Sequence, residues 1–193
     1  ARRADRLDEL TARITAAGGV ALAIPADITR RSEVEDLVAT TVEGLGRLDT
    51  VVNAAGVMLN GPTLELGIED WEAMVDLNLK GLMYVTKAAL PHLLDAVTTG
   101  ERGVSDLVGI SSIAGRIAYE QCPIYCATKF AVNAFTEALR LEYRGRGVDF
   151  TIASGVTRAL TYQVCREKFD AILLERAREV GVDVREGHRV SGC

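Results

Sequence analysis

Tyr125, Lys129 and Ser112 carry the chemistry that this sequence offers. Tyr125 and Lys129 are four apart in Tyr125-Cys126-Ala127-Thr128-Lys129. Apolar residues at Ala127, Ala131, Ala134, Phe135, Ala138 and Leu139 follow helical spacing, so the pair shares one face of a predicted helix. A phenol is a poor acid or base at neutral pH, because it titrates near ~10. An ammonium one turn away favours the phenolate and brings that titration toward working pH. Ser112 stands thirteen residues before Tyr125, after the strand-like run Leu107-Val108-Gly109-Ile110. In open α/β sheets the carboxyl end of a strand is where ligands bind. A hydroxyl there can hydrogen-bond the oxygen that Tyr125 protonates.

The elements that position these groups alternate in type. Arg3 to Ala17 reads as a helix with Leu7, Leu10, Ile14 and Ala17 on one stripe, stopped by Gly18-Gly19. Val20 to Ile24 is a buried-strand candidate, followed by Pro25-Ala26-Asp27-Ile28. Ser32 and Glu35 have capping-box spacing, and the helix they open carries Val34, Leu37, Val38, Val42 and Leu45 inward. Leu48 to Val52 is the next strand and ends in Asn53-Ala54-Ala55-Gly56. A long helix runs from Trp71 toward Leu94, then come the strand before Ser112, the Tyr125 helix and a strand from Val148 to Ala153. This alternation predicts an α/β protein with a parallel sheet. Farther on, Phe169, Ile172, Leu173, Ala177 and Val180 mark an amphipathic helix ending at Gly181, and Val182 to Arg185 alternates like a strand.

With a serine at that spacing, the Tyr125-x-x-x-Lys129 pair resembles the short-chain dehydrogenase/reductase family. The resemblance implies a Rossmann-type doubly wound parallel sheet and an oxidoreductase. Hydride would pass between NADP(H) and a carbonyl or secondary alcohol of a small molecule. Tyr125 would be the acid/base and Ser112 would orient the substrate oxygen. Lys129 would assist Tyr125 and hold the nicotinamide ribose. Asn53-Ala54-Ala55-Gly56 is similar to the family's Asn-Asn-Ala-Gly motif, whose small residues let a cofactor approach the backbone. It implies cofactor contacts at Asn53, Ala54 and Gly56, with Asn53 also bonding neighbouring backbone. A plain strand-to-loop turn is the alternative. Asp27-Ile28 matches the family's acid beside the adenine ring, and an N-terminal helix cap is the alternative.

Asn78 has Leu77 and Leu79 on either side within a long helix, where it competes with the helix backbone. The family has an Asn here whose backbone distortion and side chain hold a water leading to the catalytic lysine. A buried structural Asn is the alternative. Ala1-Arg2-Arg3 fits the end of the family's second strand. Arg2 there would bind a 2′-phosphate and favour NADP(H), with NAD(H) as the alternative. The Trp71–Leu94 helix and the helix after Tyr125 resemble the pair through which the family forms homodimers and homotetramers.

The sequence departs from the family at both ends. The glycine-rich phosphate loop of the first strand-to-helix turn is not in the chain, which opens at Ala1 without an initiator Met and reads as N-terminally truncated. Strand Val20–Ile24 would then lack its family neighbours. Ser154-Gly155 and Ala159 stand where the family has Pro-Gly and a later Thr, so Gly155 is the expected nicotinamide contact. The expected organisation is a partial dinucleotide-binding domain over 1–158 and a divergent or foreign tail over 159–193. That tail weakly resembles a segment of FAD-dependent monooxygenases and halogenases. Two other readings stay open: a truncated or fused non-catalytic protein that binds no cofactor, and a flavin-binding protein.

Composition narrows the classes further. The chain has 193 residues, 48% hydrophobic and 25% charged, as in ordinary globular proteins. A net charge of −5 without a basic block argues against nucleic acid as partner. No apolar run reaches the ~18 residues of a membrane span. Cys122, Cys126, Cys165 and Cys193 have no companions at zinc-ligand spacing, so no metal is expected and reduced thiols of a cytoplasmic protein are the reading. His92 reads as an ordinary helix residue.

Overall fold

A computed structural model of the chain describes residues 1–154. Its centre is a parallel sheet of β1 (Thr50–Asn53), β2 (Ser105–Ile110) and β3 (Val148–Ala153), in the order β1-β2-β3. Thr50 pairs with Asp106 and Asn53 with Gly109, while Ser105 pairs with Val148 and Ile110 with Ala153. β2 is central, and its apolar run is covered on both faces, as parallel strands require. β3 alternates, with Val148 and Phe150 buried and Asp149 exposed.

Helices α1 (Ala4–Ala16), α2 (Arg31–Leu45), α3 (Ile68–Val75), α4 (Leu82–Thr99) and α5 (Pro123–Glu142) make up the rest. Leu90 and Leu93 of α4 close the core on Leu107, Val148 and Phe150, with Leu139 and Tyr143 against them. The Tyr143 and Phe150 rings lie 5.7 Å apart between centroids. α2 packs on α4 through Val34 and Val38, and it ends at Gly46, whose φ of 83° needs the freedom of glycine. The predicted long helix is one rod interrupted by a π-helical turn, Asp76–Gly81, between α3 and α4.

Several expectations are corrected. Val20–Ile24 forms no strand: Val20 is 85% exposed, and the backbone contact near this run is Ala26 N–H donating to Ala1 O at 2.9 Å. A strand exists only where a neighbour takes up its amides and carbonyls, and none of the described residues does so for this run. The α1 stripe is uncovered for the same kind of reason, with Leu10 49% and Ile14 36% exposed. Ser32 and Glu35 form no capping box. α2 starts at Arg31 after Arg30, without a side-chain cap, and Glu35 instead accepts from Arg31. The turn before α2 is closed by Asp27, whose Oδ1 accepts from the Thr29 amide and hydroxyl, while Glu33 accepts from the Asp27 amide. Gly155, the helix around Phe169, the Val182–Arg185 strand and the 159–193 tail lie outside the described residues.

Candidate active site

The site forms where β1 and β2 end and α5 begins. β2 runs into Ser111 and Ser112, and Ser112 caps a short 3₁₀ turn, Ile113–Gly115. Its Oγ accepts from the Ala114 amide at 3.1 Å. A hydroxyl used as an acceptor by the backbone keeps its own proton to donate. Ser111 Oγ is buried and turns the other way, donating to Lys129 O at 3.4 Å. Gly115 is the residue that lets this turn touch α5. A Cβ there would stand 2.8 Å from Asn133 Nδ2, from Lys129 O and from Ser111 Oγ.

Pro123 opens α5, a first-turn position that suits its missing N–H. Tyr125 and Lys129 then lie one turn apart, with Lys129 Nζ 5.7 Å from the Tyr125 ring centroid. Lys129 is 6% exposed, and its ammonium donates to Ile110 O at 2.8 Å, at the end of β2. Burial in this site holds Lys129 below the ordinary lysine pKa.

Asn78 sits in the π turn, 2% exposed, and its side-chain amide bonds protein groups at both ends. Oδ1 accepts from Val57 N at 2.8 Å, and Nδ2 donates to Val57 O at 2.8 Å and to Thr128 Oγ1 at 3.2 Å. The side-chain amide thus clamps the loop at Val57 to α5 at Thr128. The sequence reading missed Thr128. Its signal was a small polar residue on the buried face of a helix, between Tyr125 and Lys129. Thr128 Oγ1 also donates to Tyr125 O at 2.8 Å.

Gly56 faces this cluster. A Cβ there would lie 3.2 Å from Asn78 Oδ1 and 3.7 Å from Lys129 Nζ. Ala54 and Gly56 are exposed, and Asn53, at the end of β1, is buried. Asn53 Nδ2 donates to Thr86 Oγ1 on α4 at 3.4 Å, rather than to the neighbouring backbone expected from sequence.

Arg2, Asp27 and Ile28 form a second group. Arg2 Nη1 lies 3.8 Å from Asp27 Oδ2. Hydrogen bonds from the Thr29 backbone and hydroxyl, ahead of attraction from Arg2 and Arg30, hold the Asp27 carboxyl below its ordinary pKa. Ile28 packs against Gly81 at the end of the π turn, where a Cβ would come within 2.9 Å of its Cδ1. Among the described residues there is no cluster of three or more metal-ligating side chains. Nor is any described helix long and apolar enough to cross a membrane.

A family model described as short chain dehydrogenase matches residues 1–169. Over 131 residues the chain is 37% identical to an uncharacterized oxidoreductase of Staphylococcus aureus, covering 68% of this chain and 54% of that protein. Over 151 residues it is 37% identical to glycine betaine reductase ATRR of Emericella nidulans, covering 78% of this chain and 11% of that protein. The chain thus spans about half the length of the staphylococcal relatives it matches. Among solved structures, a short-chain dehydrogenase from Streptomyces avermitilis superposes with a TM-score of 0.71 at 29% identity, over 84% of this chain and 58% of that one. A metagenomic short-chain oxidoreductase in complex with NADP gives a TM-score of 0.76 at 24% identity, over 90% of this chain and 76% of that one.

Proposed function

The chain belongs to the short-chain dehydrogenase family, and from that premise we propose that it carries the proton-transfer centre of a nicotinamide-dependent oxidoreductase. The substrate is a small molecule with a carbonyl or secondary alcohol carbon. The observation that carries this reading is the buried Lys129 ammonium, which lies 5.7 Å from the Tyr125 ring centroid and bonds Ile110 O, two residues before Ser112. Ser112 donates its free proton to the substrate oxygen. Tyr125 gives that oxygen its proton on reduction and takes it back on oxidation. Lys129, one turn from Tyr125 and bonded to Ile110 O, offers its remaining protons to a ribose hydroxyl. Asn78 holds the loop at Val57 and the helix at Thr128, which keeps Lys129 aimed.

A nicotinamide cofactor supplies or accepts the hydride when bound. The residues present suit one: Gly56 lets the loop after β1 close on Asn78, where a Cβ would stand 3.2 Å from Oδ1, and Lys129 Nζ beside it keeps protons for a ribose hydroxyl. Asn53, Ala54 and Gly56 are the proposed contacts on the nicotinamide side. Asp27 and Ile28 are the proposed contacts of the adenine. Arg2 supports NADP(H) over NAD(H), because a 2′-phosphate could replace Asp27 as its partner. Exposed Met83 on α4 and Phe130 and Leu141 on α5 support a homodimer or homotetramer. The test is turnover of carbonyl substrates by the full-length protein with NADPH or NADH. Tyr125→Phe should lower kcat by about 10²–10⁴ with the fold unchanged. Near-normal turnover by that variant would remove Tyr125 from the mechanism.

A second reading, that residues 1–193 alone bind no cofactor, is favoured by Val20, Leu22 and Val52, which stand 85%, 45% and 54% exposed. Calorimetric titration of the purified chain with NADPH tests it, and a micromolar Kd would exclude it.

A further inference from the structure

Cys122 and Cys126 play no part in the chemistry above, yet they flank it. Cys126 follows Tyr125 directly, and Cys122 is the N-cap of α5. Both are buried free thiols, and their sulfurs are 3.7 Å apart. A disulfide needs about 2.05 Å, so the sulfurs have roughly 1.7 Å to close. Residues four apart on a helix have Cα atoms about 6 Å apart, inside the range that a disulfide spans. Cys122, with φ −143° and ψ 45°, is the N-cap, and its carbonyl accepts from the Cys126 amide at 3.0 Å, which holds the two residues in register.

The thiols also hold the segment between Ser112 and Tyr125. The Tyr119 amide donates to Cys126 Sγ at 3.4 Å, and Cys122 Sγ donates to Tyr119 O at 3.6 Å. Gln121 has a φ of 62°, the left-handed region that a non-glycine residue occupies at a cost. Its carbonyl accepts from the Gly61 amide at 2.8 Å, which ties this segment to the loop after β1. Tyr119 is thus attached to α5 through sulfur.

We propose that Cys122 and Cys126 are a dithiol modification site for peroxide, and that closing the disulfide releases Tyr119 from α5. One thiolate attacks a peroxide oxygen, the O–O bond breaks, and a sulfenic acid and one water result. The second thiol displaces the sulfenic hydroxyl as a second water, and the S–S bond forms. Two thiols are oxidised to one disulfide and the peroxide is reduced to two waters. A small thiol such as glutathione reverses the change by exchange. Oxidation removes the Cys122 S–H that Tyr119 O accepts and moves the sulfur that the Tyr119 amide uses. Burial pushes the Cys122 thiol above its ordinary pKa, which slows its own attack on peroxide.

The test needs no turnover, so its result is independent of the hydride-transfer reading. The chain, with Cys165→Ser and Cys193→Ser, is treated with hydrogen peroxide, blocked with N-ethylmaleimide and mapped by peptide mass. The unsubstituted chain is mapped alongside, in case the serine background folds poorly. The expected result is a Cys122–Cys126 peptide that is lighter by two hydrogens, takes no maleimide and is restored by glutathione. Hydrogen exchange at the Tyr119 amide should quicken about fivefold, as loss of one ordinary hydrogen bond implies. Cys122→Ser should instead leave Cys126 as a sulfenic acid that dimedone traps. Alkylation of both thiols after peroxide would overturn the proposal, as would a disulfide that forms only in urea, or unchanged Tyr119 exchange in the oxidised chain.

Discussion

Asn78→Ala should destabilise the described fold by about 3 kcal/mol, and the figure can be built from its contacts. The substitution deletes an acceptor for the Val57 amide, a donor to Val57 O and a donor to Thr128 Oγ1. A net hydrogen bond contributes about 1 kcal/mol, and a buried group left without a partner costs about 1–3 kcal/mol. Thr128 loses least, since its hydroxyl keeps Tyr125 O. Val57 is half-buried, so water restores part of its loss. The two backbone groups then account for most of the effect. In urea, with a slope of about 2 kcal/mol/M, the midpoint should fall by about 1.5 M at unchanged slope. Asn78→Asp supplies the sign check. Its carboxylate keeps the acceptor for the Val57 amide but faces Val57 O, so this variant should be at least as weak at neutral pH. It should recover in mild acid, where a protonated carboxyl can donate again. A midpoint shift for Asn78→Ala below about 0.5 M would refute the clamp as an energetic feature. So would an Asn78→Asp variant insensitive to acid.

Lys129 gives a pH signature. Because burial lowers its folded pKa, the unfolded chain binds the extra proton between that value and the ordinary ~10.5. Stability contributed by this group therefore rises with pH through that window and is flat below it. Subtracting the urea midpoints of Lys129→Met from those of the parent chain should show this rise, and a flat difference would contradict it. Gly115→Ala should cost about 1–3 kcal/mol by overpacking, because its new methyl meets Lys129 O, Ser111 Oγ and Asn133 Nδ2 together. A thermal melt unchanged by that variant would show that the turn can move away from α5.

The parts of this fold that could be read from sequence are those fixed by contacts within the described chain. The β2 run, the Tyr125 helix and the β3 alternation each predict their own burial, and each has a neighbour that accepts it. Val20–Ile24 has the same apolar character as β2 but no ladder partner, and hydrophobicity alone does not make a strand. Ser32 and Glu35 illustrate a different limit. Capping-box spacing is a local signal, and Asp27, Thr29 and Glu33 close the same turn by another route. At the site, Tyr125 and Lys129 share one helix, and Ser112 follows the strand end that Lys129 bonds, so local spacing alone marks these three positions. Asn78 was legible as a misfit in its helix. Its partners were not, since Val57 and Thr128 lie 21 and 50 residues away and nothing local marks them.

The π turn also sets a constraint on chain length. An α-helix advances about 100° per residue, and a π turn takes up one residue more than the α ladder needs. The segment Asp76–Gly81 thus fixes the angular phase between α3, which buries Met74, and α4, which buries Leu82, Ala89 and Leu93. Deleting a residue from it would let the hydrogen bonds revert to ordinary helix. Because the surplus residue is taken up inside the turn, α3 and α4 would keep nearly their present phase, and Met74, now 1% exposed, would stay in the core. The rod can therefore lose one residue at this turn more readily than elsewhere along its length.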